Sequence, residues 1–117
     1  MTKRIRVIYK KPGKPPETIH IDNTLDALRG AVGGQIEVIN MGGAAVIVNE
    51  ESKLLGLPEN FFLTPPNGVK DMICGPAVFC SLDDEDFGDV PRSLEALIMS
   101  EWRAQRVRRA KKRRTVS

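Results

Sequence analysis

Polar and apolar positions alternate from the start of the chain. Ile5, Val7 and Tyr9 fall on one side of residues 4–9, and Arg4, Arg6 and Ile8 on the other. A period of two predicts a strand with one more polar face. Residues 10–16, Lys-Lys-Pro-Gly-Lys-Pro-Pro, interrupt it as a turn whose prolines cannot donate to a ladder. Alternation resumes over 17–21 with Ile19 and Ile21 on one face, so the two runs predict a hairpin. The period then lengthens. Leu25, Leu28, Ala31 and Val32 recur at helical spacing after Asn23 or Thr24, either of which can accept a first-turn N–H. Asp26 complements the helix dipole, and Gly33-Gly34 ends the element, which predicts a short helix over 24–32.

Residues 35–39 read as a strand with Ile36 and Val38 on one face, followed by a turn at 40–43. Residues 44–48 are continuously apolar and β-branched, as suits a central strand buried on both faces. Residues 49–56 look like one helical turn closed by Gly56 and Pro58, and 61–63 like a short extended piece. After a turn at 64–68, residues 69–73 and 77–82 predict further strands divided by Gly75-Pro76. Residues 83–89 read as an acidic loop. Pro91 suits the first turn of a final helix, whose apolar face would be Leu94, Leu97, Ile98 and Trp102. There is no internal repeat. The order predicts an α+β fold, with a largely antiparallel sheet of four to six strands packed on one short helix and a longer C-terminal helix.

Composition narrows the class. With 117 residues, 41% of them hydrophobic and 28% charged, the chain suits one globular domain and excludes collagen-like, mucin-like and wholly disordered proteins. No apolar run approaches the ~18 residues of a membrane span. The N-terminal residues hold no apolar h-region, so the expectation is a cytoplasmic protein of a bacterial host cell, with no membrane partner. The net charge of +3 conceals its distribution. Residues 1–14 hold six basic residues and no acid, 15–102 carry a net −11, and 103–117 hold eight basic residues and no acid. This division predicts a single domain over 1–102 and a basic extension over 103–117.

Cys74 and Cys80 are spaced as neither a redox motif nor a zinc knuckle, and His20 is the only histidine. One chain could offer at most three N/S ligands, so no metal and no cofactor are expected. Two small buried apolar side chains are the simpler reading, with a disulfide or an intersubunit metal site as alternatives.

Val32-Gly33-Gly34-Gln35-Ile36-Glu37-Val38 and the N-E-x-x-K-L-x-G-L-P-x-N run of residues 49–60 lie between Asn23-Thr24-Leu25 and Ile73-Cys74-Gly75-Pro76. Over about residues 4–82 the chain resembles a family of small uncharacterised domains of Gram-positive bacteria, their phages and other mobile elements. Ser52 stands where relatives often have glycine. The resemblance implies an intracellular accessory protein and carries no reaction, and the basic extension lies outside it.

Candidate chemistry is concentrated in charge. Arg103, Arg106, Arg108, Arg109, Lys111, Lys112, Arg113 and Arg114 place eight cations in twelve residues. Such density repels itself and predicts that the tail, in isolation, is frayed or only partly helical; a polyanion would relieve the repulsion while releasing counterions. Lys10, Lys11 and Lys14 surround the first hairpin's turn and could grip a phosphate backbone, or protect an edge strand. Asn49, Glu50 and Asn60 could line a small polar pocket; the plainer reading is capping and turn bonding. The acids of residues 83–89 fail the EF-hand register, and the glycine pairs precede strands rather than helices, so turn duty suits them. No nucleophile–base arrangement is legible, and no catalytic residue is expected. The expected function is a non-enzymatic accessory module whose basic C-terminal segment docks on nucleic acid or ribonucleoprotein, with an acidic protein surface as a second partner class. The alternative is small-ligand (nucleotide-like) binding, or inhibition of a host defence protein, through the acidic body. Free sheet edges make a homodimer a further candidate.

Overall fold

The computed structural model describes residues 3–66 and 68–115, with side chains through Lys111. Its elements are β1 (Arg4–Lys10), β2 (Glu17–Asp22), α1 (Leu25–Val32), β3 (Ile36–Asn40), β4 (Ala44–Asn49), β5 (Glu59–Leu63), β6 (Asp71–Cys74), β7 (Ala77–Asp83), β8 (Asp86–Gly88) and α2 (Arg92–Thr115). The main sheet has the order β2-β1-β7-β4-β3, with β8 also paired to β7, and β5-β6 form a separate hairpin. Every pairing is antiparallel. The fold is α+β, with one short helix and one long C-terminal helix.

Strand β7 is central because it can be buried on both faces. Phe79 lies opposite Ile8 of β1 and Val46 of β4, and Val78 lies opposite Tyr9 and Ile47. Alternation sorts these side chains into two cores. Ile5, Val7, Ala45, Ile47, Val78 and Cys80 face α1, which contributes Leu28 and Val32. Ile8, Val46, Val48, Ala77 and Phe79 face the other way, under Ile73, Phe61 and Leu63 of the β5-β6 hairpin and Leu94, Ile98 and Met99 of α2. The result is three layers: α1, the main sheet, and a layer shared by the small hairpin and α2. Cys74 and Cys80 are both free, and burial pushes the Cys80 thiol up to about 12.

Local chemistry explains the boundaries. Thr24 is the cap of α1; its side chain accepts from Ala27 N at 3.1 Å, and Gly33 closes the helix in the left-handed region with φ 80°. The helical turn expected within 49–56 is present, closed by the bond from Leu55 N to Glu51 O at 2.9 Å. Three expectations change. Residues 83–89 are not an open loop, because β8 turns back on β7 through a two-residue connection with Asp84 at φ 53°. The sixth strand begins at Asp71, leaving Val69 exposed. Leu97 is 64% exposed, because the docked stripe of α2 runs through Leu94, Ile98 and Met99. Asn67, in the predicted 64–68 turn, lies outside the described residues.

The chain passes from the small hairpin into the central strand at Gly75. Its φ is +78°, and an added Cβ would sit 2.7 Å from Leu57 Cδ1. Its N–H donates to Pro58 O at 2.7 Å, so the backbone there cannot simply relax. Gly75→Ala is therefore expected to lower stability by about 2 kcal/mol in urea denaturation, through left-handed strain and overpacking together. A loss below about 0.5 kcal/mol, the range of neutral surface changes, would contradict this account of the connection.

Candidate nucleic-acid interface

The position of α2 is set by the row of β1 side chains beneath it: Arg6, Ile8 and Lys10. Arg6 keeps only 13% of its side chain exposed. Its Nη2 donates to Val90 O, its Nη1 lies 3.7 Å from Asp89, and its Nε lies 3.7 Å from Glu95. The backbone reinforces this, with Arg6 N donating to Asp89 Oδ1 and Val90 N to Arg6 O, each at 2.8 Å. Thr18 of β2 donates to Glu95 Oε2 at 2.7 Å. Ile8 shares a core with Ile98, and the Lys10 ammonium sits 4.9 Å from the Trp102 ring centroid. From Glu95 to Trp102 the helix rises about 10 Å, and from Arg6 to Lys10 the strand advances about 13 Å. The two elements therefore run side by side in the same direction, meeting at three successive levels.

Beyond Trp102 the helix continues as an arm. The whole of α2 is 24 residues, about 36 Å long. The arm is helical as far as Thr115, because the docked first half supplies the helical nucleus that an isolated basic segment lacks. Arg103, Arg106, Arg108, Arg109 and Lys111 are exposed. The side chains of Lys112, Arg113 and Arg114 lie outside the described residues. Glu101, at the base of the arm, accepts from Arg108 Nη2 at 3.1 Å and Gln105 Nε2 at 3.5 Å. No helix among the described residues is long and apolar enough to cross a membrane.

The first hairpin's turn lies beside this arm. Pro16 lines the same groove as Trp102 and Gln105. Burial, and secondarily the positive charge of Arg109, push the Lys10 pKa down. Lys10 itself is only 7% exposed, and it donates to Asn60 Oδ1 at 3.0 Å and Lys11 O at 2.8 Å. It serves the interior, and Lys11 and Lys14 carry the turn's exposed charge. The β1-β2 turn and the base of the basic arm thus lie on one side of the molecule.

A shallow apolar groove of about 350 Å³ opens at the foot of the arm, between α2 and the β5-β6 hairpin. Phe61, Phe62, Leu97, Ile98 and Trp102 line it, above Phe79, whose ring stacks on Phe61 at 5.4 Å. Phe62 is 60% exposed, with Lys70 Nζ 4.5 Å above its ring. Sequence reasoning missed this groove. The available signal was Phe61-Phe62, since adjacent strand residues face opposite ways and one phenyl ring must leave the core.

Asn49, Glu50 and Asn60 do not assemble into one site. Asn49 is 3% exposed; its Nδ2 donates to Val32 O at 3.2 Å and its Oδ1 accepts from Glu51 N at 2.8 Å. Asn60 Nδ2 donates to Lys10 O and Gly75 O, both at 2.8 Å. Its amide ties β5 to the end of β1 and to the β6-β7 connection. Glu50 is exposed beyond the end of β4.

The Arg6 cluster has a pH consequence. The Thr18 hydroxyl, with Arg6 and Arg92, holds the Glu95 carboxyl below its usual range, and the Arg6 backbone N–H, with the Arg6 charge, does the same for Asp89. Carboxyls depressed by folding stabilise the native state above their unfolded pKa, and that stability is lost as pH falls through their folded values. The urea midpoint should therefore hold from neutrality to about pH 5 and fall below about pH 4. Thr18→Val, which removes the hydroxyl that holds the Glu95 carboxyl down, should lower the midpoint at neutral pH and flatten the acid fall. An equally steep fall in the variant would contradict the assignment.

Comparison with known proteins bears on the domain and not on the arm. No curated protein and no solved structure matches the chain. One family model does match, over residues 5–103, reaching past the resemblance at 4–82 to take in β8 and the docked part of α2. It ends where the cationic arm begins. On that match the chain belongs to the family described as Domain of unknown function (DUF3846).

Proposed function

We propose that this protein is a non-enzymatic accessory module that docks on nucleic acid, bare or within a ribonucleoprotein, through the exposed half of α2 and the β1-β2 turn. The observation that carries this reading is that the β1-β2 turn lies beside the basic arm, with Lys10 beneath Trp102 and within the electrostatic reach of Arg109. Arg103, Arg106, Arg108, Arg109 and Lys111 project from the arm, and Lys11 and Lys14 from the adjoining turn. Like charges so close raise the free energy of the unbound state. Phosphates would relieve that repulsion and release their condensed counterions. Arginine dominates the arm, and its planar fork suits two-point contact with phosphate oxygens. The contacts would be to backbone, without base-edge readout. The domain over 1–102 would hold the arm at a fixed angle, and the setting implied by the resemblance would be the cytoplasm of a bacterium carrying a phage or mobile element.

Salt dependence tests this reading. If six to eight phosphates are neutralised, the logarithm of the duplex DNA affinity should fall against the logarithm of salt with a slope of roughly −5 to −7. Replacing Arg106 and Arg109 by glutamine should make the slope shallower by roughly 2 and weaken binding to all sequences alike. Fluorescence anisotropy with a labelled duplex, titrated across a range of KCl, measures both. Absence of binding at low salt, or a slope unchanged in the variant, would overturn the proposal.

A further inference from the structure

The groove at the foot of the arm offers something that phosphate binding does not use. Its lining is apolar and aromatic, with Phe62 60% exposed on one side and Trp102 on the other. A duplex presents only phosphates, sugars and groove edges to such a surface. An unpaired base presents an apolar ring of matching thickness, and stacking on aromatic side chains tolerates any base because every base has a π-face. Resting on the docking reading above, we propose that this module takes single-stranded nucleic acid. An unpaired base would enter the groove against Phe62 and Trp102, while the adjoining backbone runs along the arm.

Charge and geometry place the two contacts together. The α2 residues that line the groove include Leu94, Ile98, Trp102 and Gln105, spaced at four, four and three. The same helical face reaches Arg108 and Arg109 one turn later. A strand leaving the groove along this face meets guanidinium groups within one helical turn. Lys70 Nζ lies over the Phe62 ring, so an exposed cation adjoins the groove on the hairpin side. A strand crossing the groove would find Lys70 on that side and the guanidinium groups of the arm on the other. Glu101 stands on the rim as the one adverse charge in this set, and Arg108 and Gln105 hold its carboxylate.

Trp102 is the chain's single tryptophan, so its fluorescence reports on the groove directly. The full-length protein would be titrated at one fixed salt concentration with a thymidine homopolymer of about twelve nucleotides, within the usual site size. Parallel titrations would use a duplex of equal phosphate number and an abasic oligomer of equal length. The expected result is quenching and tightest binding with the homopolymer, and weaker binding without quenching for the abasic oligomer. Phe62→Ala should cost the homopolymer about tenfold and leave the duplex and abasic oligomers unchanged. Because Phe62 is largely exposed, this variant should fold, and unchanged duplex binding verifies that it has.

Equal affinity for all three ligands, with Phe62→Ala neutral, would overturn the stacking proposal while leaving phosphate docking intact. Failure to bind any of them at low salt would overturn the docking reading itself. A dimer seen by sedimentation that dissociates in Phe62→Asp would also contradict the proposal, because the groove would then be occupied by a second copy.

Discussion

The seating of α2 on β1 is the constraint on which the interface depends. Arg6, Ile8 and Lys10 form one row on one strand face, and Glu95, Ile98 and Trp102 form its counterpart on the helix. The middle level is apolar and supplies cohesion. The outer levels are polar and fix the direction: a reversed helix would bring Trp102 over Arg6 and Glu95 over Lys10, losing the Val90 and Thr18 bonds. A half-buried arginine is stable here because carboxylates and a backbone carbonyl surround it; removing either side would leave an uncompensated charge.

That seating links fold to surface. Residues 103–115 would be a poor helix alone, because eight cations repel within little more than three turns. Continuity with the docked half lends the arm its helical start. The same seating puts the β1-β2 turn against the base of the arm and opens the groove toward the β5-β6 hairpin. The family match stops at Arg103, so the residues of α2 that pack on β1 lie within it, while the arm's cations from Arg106 onward lie beyond it.

Much of this was legible in the sequence, and the exceptions have physical causes. The alternation of Ile5, Val7 and Tyr9, the apolar run 44–48 and the Gly33 stop identify strands and helix because period and glycine chemistry are local signals. Residues 83–89 hid a strand because β8 is three residues long and its pairing with β7 is set by the turn rather than by apolar alternation. Leu97 fits the helical spacing as well as Met99 does; which of them is buried depends on the angle at which α2 crosses the sheet. Lys10 reads as a turn lysine, and only the fold shows Asn60 and Trp102 enclosing its ammonium. The apolar groove joins residues some forty positions apart, a separation at which no periodicity carries information.

The central claim is that the β1-β2 turn and the exposed half of α2 act as one surface because α2 is fixed along β1. Hydrogen-exchange mass spectrometry of the full chain, with and without a single-stranded oligonucleotide at low salt, tests it most directly. The account predicts simultaneous protection of the turn over 11–16 and of α2 from Glu101 onward, with little change in α1 or in the β7-β8 turn. Protection confined to the arm, or centred on the opposite face around α1, would contradict it.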